Sequence, residues 1–342
     1  MGKKLYIIGI VAAVVVIGIV IILAVVNPFN KQEAKSAGAE TAVNSDFITV
    51  KLPSIQGGGP ALVAREHGIF EKYKLKIVEV GSVQGGNQLQ SVITEDIDFT
   101  LGNHTDREIE AISRGIPVKV ILAQSETTED MPHMRWMVPK DSPIKGPKDL
   151  IGKNIAMSYI TGGCPVTNLR EYLRQGGVDL KQVNMVQMAD NMQQAACEQG
   201  IVDVVTVHAP YSGVLRNKYG YRQLFSDWDT FGGLAGNNMA TTVKLIEKEP
   251  EKVRRFVAAI VEAQQWINTH QDEAQKLYAD VLDYDPELAP YFDKIYYSET
   301  GLETVERTQL WIDELINLGS IKEGSIKAED VFTNEFNPNY KK

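Results

Sequence analysis

The sequence predicts a two-lobed α/β protein preceded by one N-terminal transmembrane helix, and three observations support this fold class. An apolar run without any charged residue covers Leu5–Val26. Strand and helix patterns then alternate from Phe47 onward, as they do in α/β proteins. Two glycine turns, Ser54–Gly59 and Thr161–Gly163, each separate a strand pattern from a helix pattern. Because each turn belongs to its own α/β unit, the two turns predict two lobes.

The N-terminal apolar run is long enough to cross a membrane. A bilayer needs roughly 20 apolar residues, which Leu5–Val26 supplies. The A-x-A candidate for signal cleavage, Ala37–Ala39, lies well beyond the apolar end and favours an uncleaved anchor over a signal peptide. Lys3 and Lys4 predict a cytoplasmic N-terminus. We therefore expect a membrane anchor at 1–26, a flexible linker at 27–46 and an extracytoplasmic globular part.

Composition restricts the class of protein and its partners. The chain has 342 residues, a formal net charge of −9 and two cysteines. This length allows two domains of ordinary size, each with its own core. The acidic balance argues against nucleic acid as a partner. The spacing of Cys164 and Cys197 matches no zinc or redox motif, so no metal site is expected, while a single bridge between them stays open.

The first half of the globular part alternates between strands and helices, which predicts a mainly parallel sheet. The predicted elements are strands at Phe47–Leu52, Leu75–Val80, Ile97–Leu101 and Val118–Ala123, a helix that begins at Pro60, and helices at Gln88–Ile93 and Asp106–Ser113. Ligands of open α/β sheets bind at the carboxyl ends of the strands. Those ends are Gln56–Gly58, Ser82–Gly86 and Gly102–Thr105.

The strand and helix pattern restarts at Met134 and becomes helical toward the C-terminus. Strands are predicted at Asn154–Ser158, Val183–Met188, Val202–Val207 and Tyr221–Phe225, with helices from Val166 and over Met192–Glu198. The chain loses its pattern near Gly232–Gly236. Helices are then predicted at Pro250–His270, Gln271–Val281, Pro286–Tyr291 and Glu303–Leu318.

The turn at Thr161–Gly163 is a candidate anion site. Glycines let backbone amides approach a ligand closely, and Pro165 suits the first turn of the following helix. Free amides and the positive end of a helix dipole favour a small anion. The alternative is that these glycines serve only to turn the chain.

Seven segments cover most of the chain from Phe47 to about His270 and together carry a resemblance to known proteins. They are EHGIFEKYKLKIVEV (66–80), GGNQLQSVITEDIDFTLGN (85–103), SRGIPVKVI (113–121), VPKDSPIKGPKDLIGKNIAMS (138–158), LREYLRQGGVDLKQVNMV (169–186), EQGIVDVVTVHAPY (198–211) and EKEPEKVRRFVAAIVEA (247–263). In this order and spacing the segments resemble one family, the extracytoplasmic substrate-binding proteins of ABC importers for nitrate, taurine and alkanesulfonates, which includes thiamine-pyrimidine binders.

The resemblance implies a type 2 periplasmic-binding-protein fold with a discontinuous first lobe. We expect lobe I at 47–127 and 236–342 and lobe II at 128–235, with the ligand in the cleft and closure about a hinge. The implied partners are an ABC permease and its ATPase subunit. The resemblance does not fix the ligand. Amides, hydroxyls and backbone N–H groups in the loops favour a small anionic solute of the nitrate, sulfonate or taurine type, and a thiamine-pyrimidine or other heteroaromatic precursor is the alternative.

The same resemblance places the site in the strand-end loops of both lobes. The ligand-binding candidates are Gln56, Gly58, Gln84, Gly85, Asn103, His104 and Thr105 in lobe I, and Thr161, Gly162, Gly163, His208 and Tyr211 in lobe II. Thr105 has a competing interpretation, because a threonine before Asp106 can cap the helix.

The segment Gly102–Asp106 (GNHTD) departs from the family, in which small residues are commoner at this turn. His104 and Asp106 could meet a polar or cationic part of the ligand. His208 ends the equivalent strand of the other lobe, so the two histidines could face each other across the cleft. If the two histidines have a role in binding, the ligand could be heteroaromatic or zwitterionic, or a metal ion could be held between the lobes. The alternative is that both are solvated loop histidines without a binding role.

No catalytic motif or cofactor motif was found, and we expect a binding protein rather than an enzyme. Cys164 at a helix N-terminus should have a lowered pKa and is the best nucleophile candidate, although an incidental thiol fits as well. The enzymatic rival is a related pyrimidine synthase that uses its own histidine and pyridoxal phosphate. The membrane span argues against that enzyme. A membrane-tethered sensor would need a cytoplasmic output domain, which the sequence lacks.

Overall fold

The computed structural model of the protein describes residues 46–55, 59–83, 85–160, 163–234, 236–281 and 285–341. The predicted span at Leu5–Val26 and the linker up to residue 45 lie outside the described residues. No helix within the described ranges is long and apolar enough to span a bilayer. The candidate residues Gln56, Gly58, Gln84, Thr161 and Gly162 also lie outside the described part.

Ten strands and thirteen α-helices make up the described α/β fold. The strands are β1 Ile48–Leu52, β2 Leu75–Glu79, β3 Val118–Glu126, β4 Met134–Val138, β5 Asn154–Met157, β6 Asn184–Gln187, β7 Val205–His208, β8 Arg222–Ser226, β9 Gly236–Thr242 and β10 Tyr296–Tyr297. The helices are α1 Pro60–Glu66, α2 Ile69–Lys72, α3 Gly85–Ile93, α4 Thr105–Ser113, α5 Gly163–Gln175, α6 Asp190–Glu198, α7 Tyr211–Asn217, α8 Trp228–Phe231, α9 Val243–Lys248, α10 Pro250–Thr269, α11 Gln271–Val281, α12 Val305–Asn317 and α13 Ala328–Val331. Short 3₁₀ turns include Pro147–Leu150 and Pro286–Tyr291.

The strand pairing in the described residues is mixed, so the prediction of a mainly parallel sheet is wrong. β1 pairs with β2 and β5 pairs with β6 in parallel. β3 lies between β10 and β9, and β4 lies between β7 and β8, with all four of these pairings antiparallel. β4 takes part in two of the antiparallel pairings and β9 in one. The polar sequence of β9, GNNMATT, carries no strand alternation, and this strand was not predicted.

The predicted strand at Ile97–Leu101 is also wrong, for a specific reason. Lys51 donates its N–H to Asp98 Oδ2 (2.8 Å), and Asp98 donates its N–H back to Lys51 O (2.8 Å). On the other side, Thr100 donates its N–H to Ala240 O (3.0 Å), and Ala240 donates to Thr100 Oγ1 (2.8 Å). Side-chain oxygens therefore accept the bonds that carbonyl groups accept in a ladder, and the segment fills the space between β1 and β9 without being a strand.

The longest helix, α10, organises the first apolar core. Its buried residues Val253, Phe256, Val257 and Ile260 recur at the spacing of one helical face and are inaccessible to solvent. Phe256 stacks on Phe99 with ring centroids 4.0 Å apart. Full burial of each such side chain contributes about 1.5–3 kcal/mol. Pro250 begins the helix, where its missing N–H costs no hydrogen bond.

A second core joins β4 and β8 to helix α12. Trp136 stacks on Phe225 with centroids 4.3 Å apart, and Tyr172 of α5 covers the same phenylalanine at 3.8 Å. Trp311 and Ile312 of α12 belong to this cluster. The helix α12 also packs against α4. The core thus fixes the first turns of α4 and α5, which carry candidate site residues.

Candidate functional site

Two of the predicted site segments touch each other directly. The N–H of Gly163, at the start of α5, donates to Asp106 Oδ2 over 3.1 Å. The next residue, Cys164, has its Sγ 2.8 Å from Nδ1 of His104. Gly163 has φ +76°, a backbone conformation that glycine adopts without strain. The turn after β5 and the turn before α4 therefore meet through their side chains and backbone.

The turn at Asn103–Thr105 is fixed against β9. Asn103 and Asn238 exchange two backbone hydrogen bonds of 2.9 Å each. Asn238 Nδ2 donates to Thr105 Oγ1 (2.9 Å), and His104, not Thr105, is the N-cap residue of α4. The capping role predicted for Thr105 is therefore wrong, because β9 engages its hydroxyl instead.

The side chain of Asn103 also has an internal partner. It donates to the fully buried Glu108, whose pKa burial raises to about 8. The side chains of Asn103 and Thr105 thus hold the turn in place. Among Asn103, His104 and Thr105, the side chain of His104 is the most exposed and is therefore the one available for other contacts.

The thiol and imidazole at the meeting point are both neutral. Burial, together with the charges of Asp106 and Asp227, raises the pKa of Cys164 well above its usual value. Burial, with the charges that His133 and His208 would carry, lowers the pKa of His104 to about 3. The lowered thiol pKa expected at this helix N-terminus is wrong, because desolvation outweighs the helix dipole. Cys164 and Cys197 are both free, so the bridge left open does not form.

A second histidine group lies at the end of β7. His208 Nδ1 is 2.8 Å from Asp190 Oδ2, and the backbone N–H of His208 donates to the same oxygen (3.2 Å). Burial acts to lower the pKa of His208, but the charge and hydrogen bond of Asp190 outweigh it and hold this pKa above its usual value. The ring of His133 meets that of His208 edge-on, with centroids 5.1 Å apart.

His133, Asp190 and Asp227 were missed by sequence reasoning. His133 Nδ1 lies 3.7 Å from Asp227 Oδ2, and Asp227 is buried. The one available signal was position, because Asp190 begins a helix and His133 immediately precedes β4. Tyr211, which was predicted, begins α7 and donates from its hydroxyl to Gln194 Oε1 (3.2 Å). Gly85 begins α3.

The charged side chains around this site are mostly carboxylates, which accept hydrogen bonds. Asp106, Asp190 and Asp227 contribute carboxylates, and burial raises the pKa of Asp106 to about 6. At the predicted anion turn, the amide of Gly163 already donates to one of these carboxylates. Among the described residues, no group of three or more His, Cys, Asp and Glu side chains has the arrangement that a metal ion needs.

Comparison with known sequences identifies the family. The profile described as "NMT1/THI5 like" matches residues 58–274. A Bacillus subtilis (strain 168) protein, described as binding aliphatic sulfonates, is 27% identical over 277 residues, which cover 79% of this chain and 80% of that protein. The taurine-binding periplasmic protein of Escherichia coli (strain K12) is 26% identical over 67% of this chain and 70% of its own. The chain belongs to the NMT1/THI5-like family.

Comparison with solved structures identifies the fold as that of periplasmic binding proteins. The periplasmic aliphatic sulphonate binding protein SsuA from Escherichia coli superposes with a TM-score of 0.67 at 18% identity, covering 84% of this chain and 92% of that one. The desulfurization enzyme DszB superposes with a TM-score of 0.61 at 18% identity, covering 84% and 97%. This fold therefore occurs in binding proteins and in an enzyme, and the fold alone does not separate the two.

Proposed function

We propose that this protein is the extracytoplasmic solute-binding component of an ABC importer. In this proposal Leu5–Val26 anchors the chain in the cell membrane, and an ABC permease with its ATPase subunit receives the solute. The observation that carries the proposal is the contact between the turns at His104–Asp106 and Gly163–Cys164, with His208 close enough to influence the pKa of His104. The turn at Gly163–Cys164 follows β5, and ligands of α/β proteins typically bind at such strand ends. The relatives found by sequence support the same role.

The proposed mechanism is capture between two lobes. Lobe I comprises 47–127 and 236–342, and lobe II comprises 128–235. All strand pairs named above join strands within one of these parts, which supports the division. The pairs His104–Cys164 and Asp106–Gly163 each join one lobe to the other, so a solute bound beside them would contact both lobes.

We propose a small organic anion of the sulfonate type as the first ligand class, since two relatives bear the names of sulfonate and taurine binders. A heteroaromatic ligand with N–H donors is the second class. The acceptors Asp106 and Asp190 beside the imidazoles of His104 and His208 favour it. An enzymatic thiol is disfavoured, because the neutral state of Cys164 makes it a weak nucleophile.

A thermal-shift screen of the full chain in mild detergent tests this proposal. The panel contains alkanesulfonates, aminoalkanesulfonates, nitrate, short carboxylates and an aminopyrimidine. A compound at 100 times its dissociation constant should stabilise the folded state by about 2.7 kcal/mol. No stabilisation by any member of the panel would contradict the proposed function.

Two histidine variants serve as a matched pair in the same screen. His208→Asn removes the imidazole that pairs with Asp190 at the site. The affinity for the compound that gives the largest thermal shift should fall about tenfold or more. His270→Asn alters a histidine that packs on Trp266 instead and should leave its affinity unchanged. Equal losses in the two variants would mean that the compound binds elsewhere.

A further inference from the structure

Helices α5 and α12 meet across the boundary between the proposed lobes. Arg170 of α5 belongs to lobe II and forms an ion pair with Glu314 of α12, which belongs to lobe I. The two side chains are 20% and 13% exposed, so solvent reaches both of them. The same helix α5 begins with Gly163 and Cys164, whose contacts with lobe I lie at the proposed solute site. The ion pair is therefore a second contact between the lobes along α5.

The contact between α5 and α12 is loosely packed. A groove of 700 Å³ adjoins the ion pair, and Arg170, Glu314, Phe231 and Leu310 are among the residues that line it. A separate cavity of 340 Å³ lies between α5 and the helices α4 and α12, and Arg170 lines this cavity as well. Protein interiors are close-packed, and surfaces separated by gaps attract each other weakly. The two helices can therefore move apart without disrupting a close-packed core.

A different contact between the lobes, at α7, is closely packed. Asp293 of lobe I accepts hydrogen bonds from Arg135 Nη1 (2.8 Å) and Ser212 Oγ (2.6 Å) of lobe II. Each of these three residues is at most 5% exposed. A Cβ atom at Gly213 of α7 would lie 2.3 Å from the backbone nitrogen of Asp293, so the main chains touch. Separation here would break a buried ion pair, which makes this contact much harder to open than that of α5 with α12.

Helix α12 is fixed to lobe I at the point where the lobes are connected. Arg307 of α12 is 4% exposed and donates to the carbonyl oxygens of Ser125 on β3 (3.2 Å) and Asn237 on β9 (3.1 Å). These two strands lead to the two points at which the chain passes between the proposed lobes. Glu314 lies about two helical turns beyond Arg307, so it moves with lobe I when the lobes separate.

We propose that Arg170 and Glu314 form a latch that holds the lobes closed, and that the lobes open between α5 and α12 while the contact at α7 serves as the pivot. The inference rests on the proposed function, because lobe closure is the mechanism by which that function captures a solute. The latch contains no ligand group, so it acts on the solute-free protein. It raises the closed fraction, and the apparent affinity for a solute that prefers the closed state rises with that fraction.

Distances between pairs of spin labels, measured on the solute-free full chain in mild detergent, test the latch. Labels on Lys181→Cys and Asn317→Cys report on the separation of α5 from α12. Labels on Tyr219→Cys and Glu287→Cys report on the contact at α7. All four positions are exposed, whereas both native cysteines are buried. The unsubstituted chain, treated in the same way, measures any label that the native cysteines take up.

Three charge variants are made in each labelled chain, and circular dichroism checks that each is folded. Arg170→Glu places two carboxylates against each other and should lengthen the distance between α5 and α12, while the distance at α7 stays unchanged. Arg170→Glu combined with Glu314→Arg restores an ion pair of reversed polarity and should restore the wild-type distance. Arg174→Glu is the matched control, because Arg174 lines the same groove but pairs with Glu171 of its own helix. It should change neither distance.

Calorimetry with propanesulfonate connects the latch to solute binding. Glu314→Arg breaks the latch but adds positive charge near the site, so two explanations predict opposite results. Loss of the latch should weaken the affinity for this anion about fivefold or more, whereas direct attraction of the anion would strengthen it. The double variant should bind propanesulfonate within about twofold of the wild type.

The outcomes separate this inference from the proposed function. An unchanged distance between α5 and α12 in Arg170→Glu, an equal lengthening at α7, or tighter binding of propanesulfonate by Glu314→Arg would each overturn the latch. If no compound of the thermal-shift panel binds the wild-type chain while the distances change as expected, the latch is supported and the proposed function is overturned.

Discussion

Replacing Arg135 with alanine should destabilise the protein by about 3–5 kcal/mol, because it removes the buried cation that pairs with a buried carboxylate. Arg135 is 2% exposed, and its Nη1 donates to Asp293 Oδ2 over 2.8 Å. The same guanidinium donates to the carbonyl of Pro132 (3.2 Å) and to Gln223 Oε1 (2.9 Å). After the substitution Arg216 still contacts the other oxygen of Asp293, but the buried bonds are lost.

This ion pair also supports the site. Asp293 donates its backbone N–H to the carbonyl of Pro210 (2.9 Å) and accepts the hydroxyl of Ser212 (2.6 Å). Pro210 and Ser212 flank Tyr211 and follow His208, so Arg135 and Asp293 position the loop that carries these two site candidates. We expect Arg135→Ala to weaken solute binding as well as stability.

Chemical denaturation of the wild type and two variants measures the effect. Arg174→Ala is the control, because the exposed guanidinium of Arg174 pairs with Glu171 at the surface and its loss should leave stability almost unchanged. A loss below about 1 kcal/mol for Arg135→Ala would show that the buried pair contributes no more than a surface pair.

Gly213→Ala should produce the second large loss of stability, at the contact between α7 and the segment Tyr291–Asp293. A Cβ atom at Gly213 would lie 2.3 Å from both the backbone nitrogen of Asp293 and the carbonyl oxygen of Tyr291. Both atoms belong to the main chain and cannot move aside as a flexible side chain does. Overpacking typically costs about 1–3 kcal/mol, and we expect this substitution to reach the upper end or exceed it.

Gly146→Ala is the matched control for that substitution. A Cβ at Gly146 meets nothing within 4 Å, and its backbone is extended. The same methyl group should therefore change stability by no more than about 0.5 kcal/mol there. Equal melting temperatures for the two alanine variants would contradict the close packing of α7 against Tyr291–Asp293.

Elements with strong local signals were predictable from the sequence. β1 follows from an apolar strand pattern, and α1 follows from Pro60 at the start of a helix. The helix predicted at Pro250–His270 agrees with α10 to within one residue. β9 was missed, because it is held by pairing with β3 and its sequence is polar. The segment Ile97–Leu101 resembled a strand because apolar and polar residues alternate in it. It is not a strand, because the side chains of Asp98 and Thr100 accept N–H groups that backbone carbonyls would accept in a ladder.

The site was predictable only in part, for a related reason. His104, Gly163 and His208, which lie in loops that the sequence singled out, form direct contacts in the structure. Their partners Asp106 and Asp190 depend on the meeting of segments that are distant in sequence. The neutral state of Cys164 depends on burial, and the local sequence carries only the opposing influence of a helix N-terminus. Burial and long-range contact are the two quantities that a motif does not encode.

The central claim, that a small solute binds where these loops meet, is tested most directly by NMR of the histidine rings. His104, His133 and His208 lie at the proposed site, whereas His67 and His270 pack on Trp266, with ring centroids 4.1 and 4.6 Å from it. The full chain, labelled with ¹⁵N at histidine, is titrated with the compound that gives the largest thermal shift. The ring signals of His104, His133 and His208 should move and saturate together, while those of His67 and His270 stay in place. Movement of the His67 and His270 signals, with the other three unchanged at saturation, would contradict the proposed site.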